Sequence, residues 1–439
     1  MIKYLSRLDC CLWFNTVRTV NDPKAEKIID DLLKSIGKSK AYKPGNRKME
    51  KLAMRVLVAN LLCLHRQRHL SCIAYTRENR VYKKGIYNKL RIGMAPLLRV
   101  IDGLAAVGFL RKHEGFNFKH QDGGESRCSR IVIQPKLTNI LSRASLKKVE
   151  ISTAGFELIH RKDKNGNLKD YPVSPLVRKM RKQVKSYNAL LAAHDISLTD
   201  EGYSQLRRSQ KYKAPDMTNK SYHRVFNNGS FRLGGRFYGP WWQNIKNKFK
   251  DEQDEKIELR RYIRIDGHKT VEIDFTGLHL ALCYALEGID RTDLFGDEDP
   301  YYLEGFERIP VKTMFCIGVN STDEASGIKA IRNKLRDNEN YEYEEGCDLK
   351  KLISAFQSKH PRIEKYLFNG YGLTLQHLDA ELMNSIISVF VDKEIVALSV
   401  HDSIIVDFGN EALATGIMLD CYAEFIKIGS ISVKTTVGF

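Results

Sequence analysis

The sequence predicts an α+β chain: a helix-rich N-terminal half, then an antiparallel sheet entered and covered by helices. Three observations carry that prediction. Thr270-Val-Glu-Ile-Asp274-Phe275 is a short β-branched run with a carboxylate at its end. In Val396-Ala-Leu-Ser-Val-His401-Asp402-Ser403-Ile-Ile-Val-Asp407 an apolar strand reaches His-Asp-Ser and a second apolar run returns, the pattern of a tight hairpin with an acid at its tip. Long apolar helical runs begin near Met49 and Leu375.

Size and charge narrow the class. At 439 residues the chain exceeds one ordinary domain, and a hydrophobic share of 43% places it among globular proteins. Lys and Arg outnumber Asp and Glu by 71 to 53, a net charge of +18. Such a surface suits a phosphate backbone through Coulomb attraction and counterion release; a soluble basic protein or a membrane-surface binder is the blander reading. Nine cysteines include one close pair, Cys10-Cys11, and no paired Cys-x-x-Cys at zinc spacing. Reduced, mostly buried thiols and a cytoplasmic location are therefore expected. Met1-Ile-Lys-Tyr-Leu-Ser-Arg-Leu-Asp lacks the apolar core of a secretory signal. No stretch approaches eighteen uncharged apolar residues, so no membrane partner is expected.

Taken in order, residues 1–48 read as an N-terminal helical segment. Residues 49–145 hold the apolar helix from Leu52, a helix Met94–Leu110 closed by the cap-like Gly108, and a turn-rich basic segment. The last returns as the strand Arg130-Ile-Val-Ile-Gln134. Helix, helix, then a hairpin rich in Lys, Arg and His resembles a winged helix-turn-helix, in which one helix enters a major groove and wing cations meet flanking phosphates. Many such modules bind protein instead. Residues 146–222 form a basic connector around Leu176-Val-Arg-Lys-Met-Arg-Lys-Gln-Val-Lys, continued by Arg207-Arg208 and Lys211-Tyr-Lys213. It reads equally as a solvated face or as a helix tracking a duplex backbone. Asp251-Glu-Gln-Asp-Glu255 and Asp297-Glu-Asp299 read as acidic surface loops.

Residues 223–439 carry the chemistry. Asp274 ends its strand where Gly277-Leu-His-Leu-Ala begins a helix, a rigid way to present a metal ligand. Asp274 and Asp402 on neighbouring strands suit two divalent cations about 3.5–4 Å apart, the arrangement for in-line phosphoryl transfer. Between them, Arg308-Ile-Pro-Val-Lys312 places two cations on one helical face, matched to a triphosphate.

These segments resemble motifs A, B and C of family A DNA polymerases and phage-type single-subunit RNA polymerases. Gly234-Gly-Arg236-Phe-Tyr-Gly-Pro-Trp-Trp-Gln243-Asn244-Ile245 is similar to the Gly-Arg…Gln-Asn-Ile segment preceding motif A, and Ile431–Phe439 resembles the closing strand of the palm. The likeness covers about residues 224–439. In its compact form, with a winged domain in front, the chain looks most like polymerase-related proteins of transposons and viruses.

The resemblance implies a palm with helical fingers between Asp274 and Asp402, and residues 176–215 as the candidate thumb. It makes Asp274, Asp402 and the Phe275 carbonyl ligands of two Mg²⁺ ions, with Mn²⁺ as the substitute. Arg308 and Lys312 would bind the incoming triphosphate, Lys312 also giving a proton to pyrophosphate. His279 and Asn320 fall at nucleotide-binding positions; Arg236, Gln243, Asn244 and His401 fall along the primer–template. Implied partners are a DNA primer–template, dNTPs or rNTPs, and replication proteins of the same element.

Three departures bear on sugar choice. His279 stands where the DNA polymerases of that family place a glutamate that blocks a ribose 2′-hydroxyl. Ser403 follows His-Asp as in the phage RNA polymerases, and Asn320 replaces an aromatic. The expected function is a template-directed DNA polymerase of a mobile element. An RNA polymerase or primase using the same site is one alternative, and a catalytically inactive, DNA-binding replication initiator is the other. No Gly-x4-Gly-Lys-Ser/Thr, His-Glu-x-x-His or Gly-x-Ser-x-Gly motif supports a rival chemistry.

Overall fold

The computed structural model describes residues 11–439 except 68, 84, 117–126, 144–145, 147–148, 154, 209–214, 246, 251–255, 339–340, 342–347, 428–430 and 432. The tip of the expected wing, the Lys211–Lys213 stretch and the first acidic cluster thus lie outside the described residues. The chain is mixed α/β and folds as two compact units. One comprises Met1–Glu157, Asp200–Lys220 and Pro240–Leu259; the other comprises Leu158–Thr199, Ser221–Gly239 and Arg260–Phe439. The expected segments 1–48 and 49–145 fall in one unit, and the expected connector 146–222 contributes to both.

In the first unit the elements are β1 (Cys11–Trp13), β2 (Arg18–Val20), α1 (Pro23–Gly37), α2 (Arg47–His65) and β3 (Cys72–Tyr75). They are followed by α3 (Met94–Ala106), β4 (Leu110–His113), β5 (Ser129–Ile133), α4 (Pro135–Leu141) and β6 (Ile151–Thr153). The N-terminal segment is therefore not purely helical. Asp22 and Asn46 cap α1 and α2, accepting from the Lys24 and Met49 amides, which would otherwise lack partners in the first turn. The apolar run of α2 is buried from Val56 to Leu64 against α1 and α3. Gly108, at φ +74°, takes the left-handed conformation that ends α3 and lets β4 start at Leu110. β4 and β5 pair antiparallel, Leu110 opposite Ile133, in a four-stranded sheet of order β1-β3-β5-β4.

One cysteine expectation needs correcting. β1 and β3 run parallel with Cys11 opposite Cys72, and the two form a disulfide across a Cα separation of 4.6 Å. Deeper in the unit, buried Asn60 accepts from Arg18 Nη1 at 3.1 Å, and Arg18 Nη2 pairs with Asp216 at 2.5 Å. Gln67 Nε2 donates to Asp216 at 2.9 Å while Gln67 Oε1 accepts from the Met217 amide. The Asp200–Lys220 segment is thereby fastened to α2. Trp241 and Trp242 are both buried in this unit.

The second unit runs β7 (Ile159–Arg161), α5 (Pro175–Ala193), β8 (Ile196–Leu198), β9 (His223–Phe226), β10 (Gly234–Tyr238), β11 (Ile263–Ile265) and β12 (His268–Phe275). Next come α6 (Leu278–Leu286), α7 (Arg308–Gly318), α8 (Glu324–Arg336), α9 (Leu349–Lys359) and α10 (Gly372–Asp392). β13 (Ala397–Val400), β14 (Ser403–Asp407), α11 (Glu411–Ile426) and β15 (Val433–Val437) complete it. Its six-stranded sheet follows the order β13-β14-β12-β11-β8, with β15 also paired to β12. β12 is antiparallel to β14 and to β15, so one long strand holds the centre. Val271, Ile273 and Phe275 enter the core with Ala397, Ile404, Val406 and the buried stripes of α10 and α11. Glu272 and Asp274, at the alternate positions, face the other way. Tyr187 of α5 and Tyr222 donate to the Ala397 and Ser399 carbonyls, covering the edge strand β13. α5 and α10 also border a cleft of about 310 Å³ lined by Lys179, Lys182, Ser186, Phe237, Asn384 and Ser388. Among the described residues no helix is long and apolar enough to cross a membrane.

Candidate active site

Strand register brings the two sequence-marked carboxylates together. Asp274 lies opposite Ser403, and Val400 opposite Ser403 leaves His401-Asp402 as a two-residue turn. The Phe275 amide reaches the Asp402 carbonyl at 3.5 Å, so both acids occupy the same end of the sheet. His401 sits at φ +58°, a conformation that costs a non-glycine residue about 1–3 kcal/mol and that clusters at functional sites. The Asp274 carboxyl is pushed up to about 6, first by burial and then by the Asp402 charge. Lys434, opposite Asp274 on β15, works against that rise from 3.4 Å. Below them, Ser403 Oγ donates to Glu272 at 2.8 Å, and Arg260 neutralises Glu272 at 3.0 Å.

Asp274, whose proton affinity burial and the Asp402 charge raise, and Asp402 at the same end of the sheet form a hard-oxygen donor set. It fits Mg²⁺ in chemistry, because a divalent cation would relieve the repulsion that now favours a proton on Asp274. Among the described residues no group of three or more His, Cys, Asp or Glu side chains gathers as a metal site. The acidic donors here are the pair alone.

Arg308 and Lys312 share a face of α7 as their spacing predicts. Buried Tyr301 lies beneath both, its ring 5.3 Å from the Arg308 guanidinium and 5.7 Å from Lys312 Nζ. Burial pushes the Tyr301 phenol up, and the charges of Cys316 and Asp402 add to that. Arg308 also pairs with Asp299 at 2.7 Å, which gives the second acidic cluster a partner. Asn320 turns back, donating from Nδ2 to the Cys316 carbonyl at 2.7 Å while packing against Gly372, where an added Cβ would meet its Oδ1 at 2.1 Å. Its side chain is engaged with backbone.

Arg236, His279 and His401 also converge. Tyr238, two residues after Arg236 on β10, places its ring 5.8 Å from that of His401. Arg236 and His279 meet on a residue that pattern reading passed over, Asp379 of α10. Its carboxylate, 0% exposed, accepts from Arg236 Nε at 2.9 Å and from Arg236 Nη2, and His279 Nε2 lies 2.8 Å away. Burial alone would raise the Asp379 carboxyl, yet hydrogen bonds from His279 and Arg236 hold it below the usual range. Asp379 sits on the apolar stripe of α10 with Leu375, Leu382, Met383 and Ile386. An acid there requires a buried partner, and that is the signal that marks it. Gln243 and Asn244 belong to the first unit, in the short helix Trp241–Asn244, where Asn244 Nδ2 donates to the Pro240 carbonyl.

No protein-family model matches this chain, and no curated protein matches it at a significant level.

Proposed function

We propose that the chain is a template-directed DNA polymerase, transferring nucleotides from dNTPs by two-metal chemistry on the palm of a family A-like fold. Its suggested source is a mobile element and its suggested location the cytoplasm. One observation carries the reading: strand register brings Asp274, at the end of β12, and Asp402, in the turn between β13 and β14, to the same end of the sheet. Asp274, Asp402 and the Phe275 carbonyl are the ligands for Mg²⁺, which when bound lowers the pKa of a primer 3′-hydroxyl and stabilises charge on the reacting phosphate. Arg308 and Lys312 grip the triphosphate, and Lys312 supplies the proton that leaves with pyrophosphate. Arg236 and His401 hold the primer end, Gln243 and Asn244 contact the primer–template, and His279 and Asn320 border the nucleotide.

In the first unit, α2, α3 and the β4–β5 pair follow the order of a winged helix, and we assign that unit to DNA recruitment. Primer extension by purified protein with Mg²⁺, beside Asp402→Asn, tests the proposal. Incorporation of dNTPs that vanishes in the variant supports it. Preference for rNTPs moves the assignment to RNA synthesis, with His279 as the permissive position. No incorporation of either, with DNA binding intact, favours an initiator without catalysis.

A further inference from the structure

Asp379 receives more than one carboxylate needs for solubility or packing. Three donor approaches converge on Oδ2, and Oδ1 takes Arg236 Nε at 3.1 Å. The guanidinium is held edge-on through Nε and Nη2, and Nη1 has no protein partner among the described residues. Arg236 and Tyr238 share a face of β10, and the Tyr238 ring touches that of His401, the residue before Asp402. Arg236 therefore grips Asp379 on the strand face whose next ring, Tyr238, packs on His401, the neighbour of Asp402. Burial works against its charge, while Asp379 and then the Asp402 charge favour it.

That placement poses a problem for a metal site. A guanidinium within reach of a metal-ligating carboxylate competes with the cation, since both are drawn to the same lone pairs. A mostly buried guanidinium without its first partner also turns to the next available acid, because an uncompensated buried charge costs about 3–5 kcal/mol. Here the acid beside the His401 ring, against which Tyr238 of the same strand face packs, is Asp402. We propose that Asp379 is a positioning residue that holds the Arg236 guanidinium away from Asp402, so that the Asp274–Asp402 pair stays open to a divalent cation. This rests on the metal site of the proposed function and adds a residue to it that touches neither metal nor substrate.

The test is Mn²⁺ binding to the whole chain, by calorimetry or by loss of the free-ion EPR signal, without nucleic acid or nucleotide. Asp379→Asn weakens Mn²⁺ binding by about 10–100-fold, the range for a residue that orients a metal ligand from outside the coordination sphere. Arg236→Gln/Asp379→Asn removes the competitor as well and returns affinity to that of Arg236→Gln. A double variant as weak as Asp379→Asn overturns the proposal, because Asp379 then acts through the fold. Should Asp379→Asn fail to fold, Arg236→Gln decides alone. Affinity close to wild type supports a guanidinium already held off the site, and a clear tightening overturns it. Mn²⁺ binding that ignores Asp274→Asn and Asp402→Asn overturns both the metal site and this role. Binding that needs both acids but ignores Asp379→Asn overturns only the role of Asp379.

Discussion

Asp402→Asn should stabilise the metal-free protein while abolishing its stabilisation by metal. Asp274 titrates near 6 rather than its ordinary 3.8, with burial the first cause and the Asp402 charge the second. Two units correspond to about 3 kcal/mol at 1.36 kcal/mol each. The Asp402 share is the smaller part, and the Asp274 side chain is 30% exposed, so solvent screens it further. About 1 kcal/mol remains, or about 2–4 °C in Tm for a unit of 150–250 residues. The sign follows from linkage. A carboxyl whose folded pKa is raised keeps its proton longer in the folded state, so its contribution is full below about pH 4 and lost as pH climbs through about 6. In EDTA at pH 8 the variant should therefore melt higher than wild type, and at pH 4 the two should coincide. With Mn²⁺ at about 100 times its Kd, wild type gains about 2.7 kcal/mol and the variant loses that gain. Differential scanning fluorimetry at both pH values reads all of this. A lower Tm for the variant at pH 8 without metal, or the same difference at pH 4, refutes the idea that these carboxylates repel across the strand ends.

Three further outcomes are open to direct measurement. Lys312→Ala should cut single-turnover incorporation by about 10²–10³-fold, the loss typical of one donor on a developing charge, while primer–template affinity holds. Lys179→Glu with Lys182→Glu, in the cleft between α5 and α10, should lower the slope of log K against log salt by about 0.9 for each phosphate that is no longer neutralised; an unchanged slope places the nucleic acid elsewhere. Cys11→Ser should cost about 2–4 kcal/mol, and dithiothreitol should lower the Tm of wild type but not of the variant.

The strand ends were readable because β-branched runs announce their own period, and each stops at an acid followed by a helix or a return strand. Arg308 and Lys312 were readable for a similar reason, since a four-residue spacing on a helix fixes a face. The clamp on Arg236 was half visible. An aspartate among the buried positions of α10 shows in the sequence, but its partners lie 143 and 100 residues away and no local pattern names them. β1 and β2 each span three residues, too few to show alternation, and so the N-terminal segment read as helical. The Cys11–Cys72 bond depends on a parallel pairing that a separation of 61 residues does not reveal.

The fastening of Asp216 to Arg18 and Gln67, and the burial of Trp241 and Trp242, set a timetable for synthesis. The unit that begins at the N-terminus cannot be completed when Glu157 leaves the ribosome, because its last segment ends at Leu259. At roughly 5–20 residues per second, that is a wait of about 5–20 seconds. For about the first 3–12 seconds of it, until Asp216 is made, Arg18 and Gln67 stand without their acid, on a nascent chain that is still making the strands of the other unit.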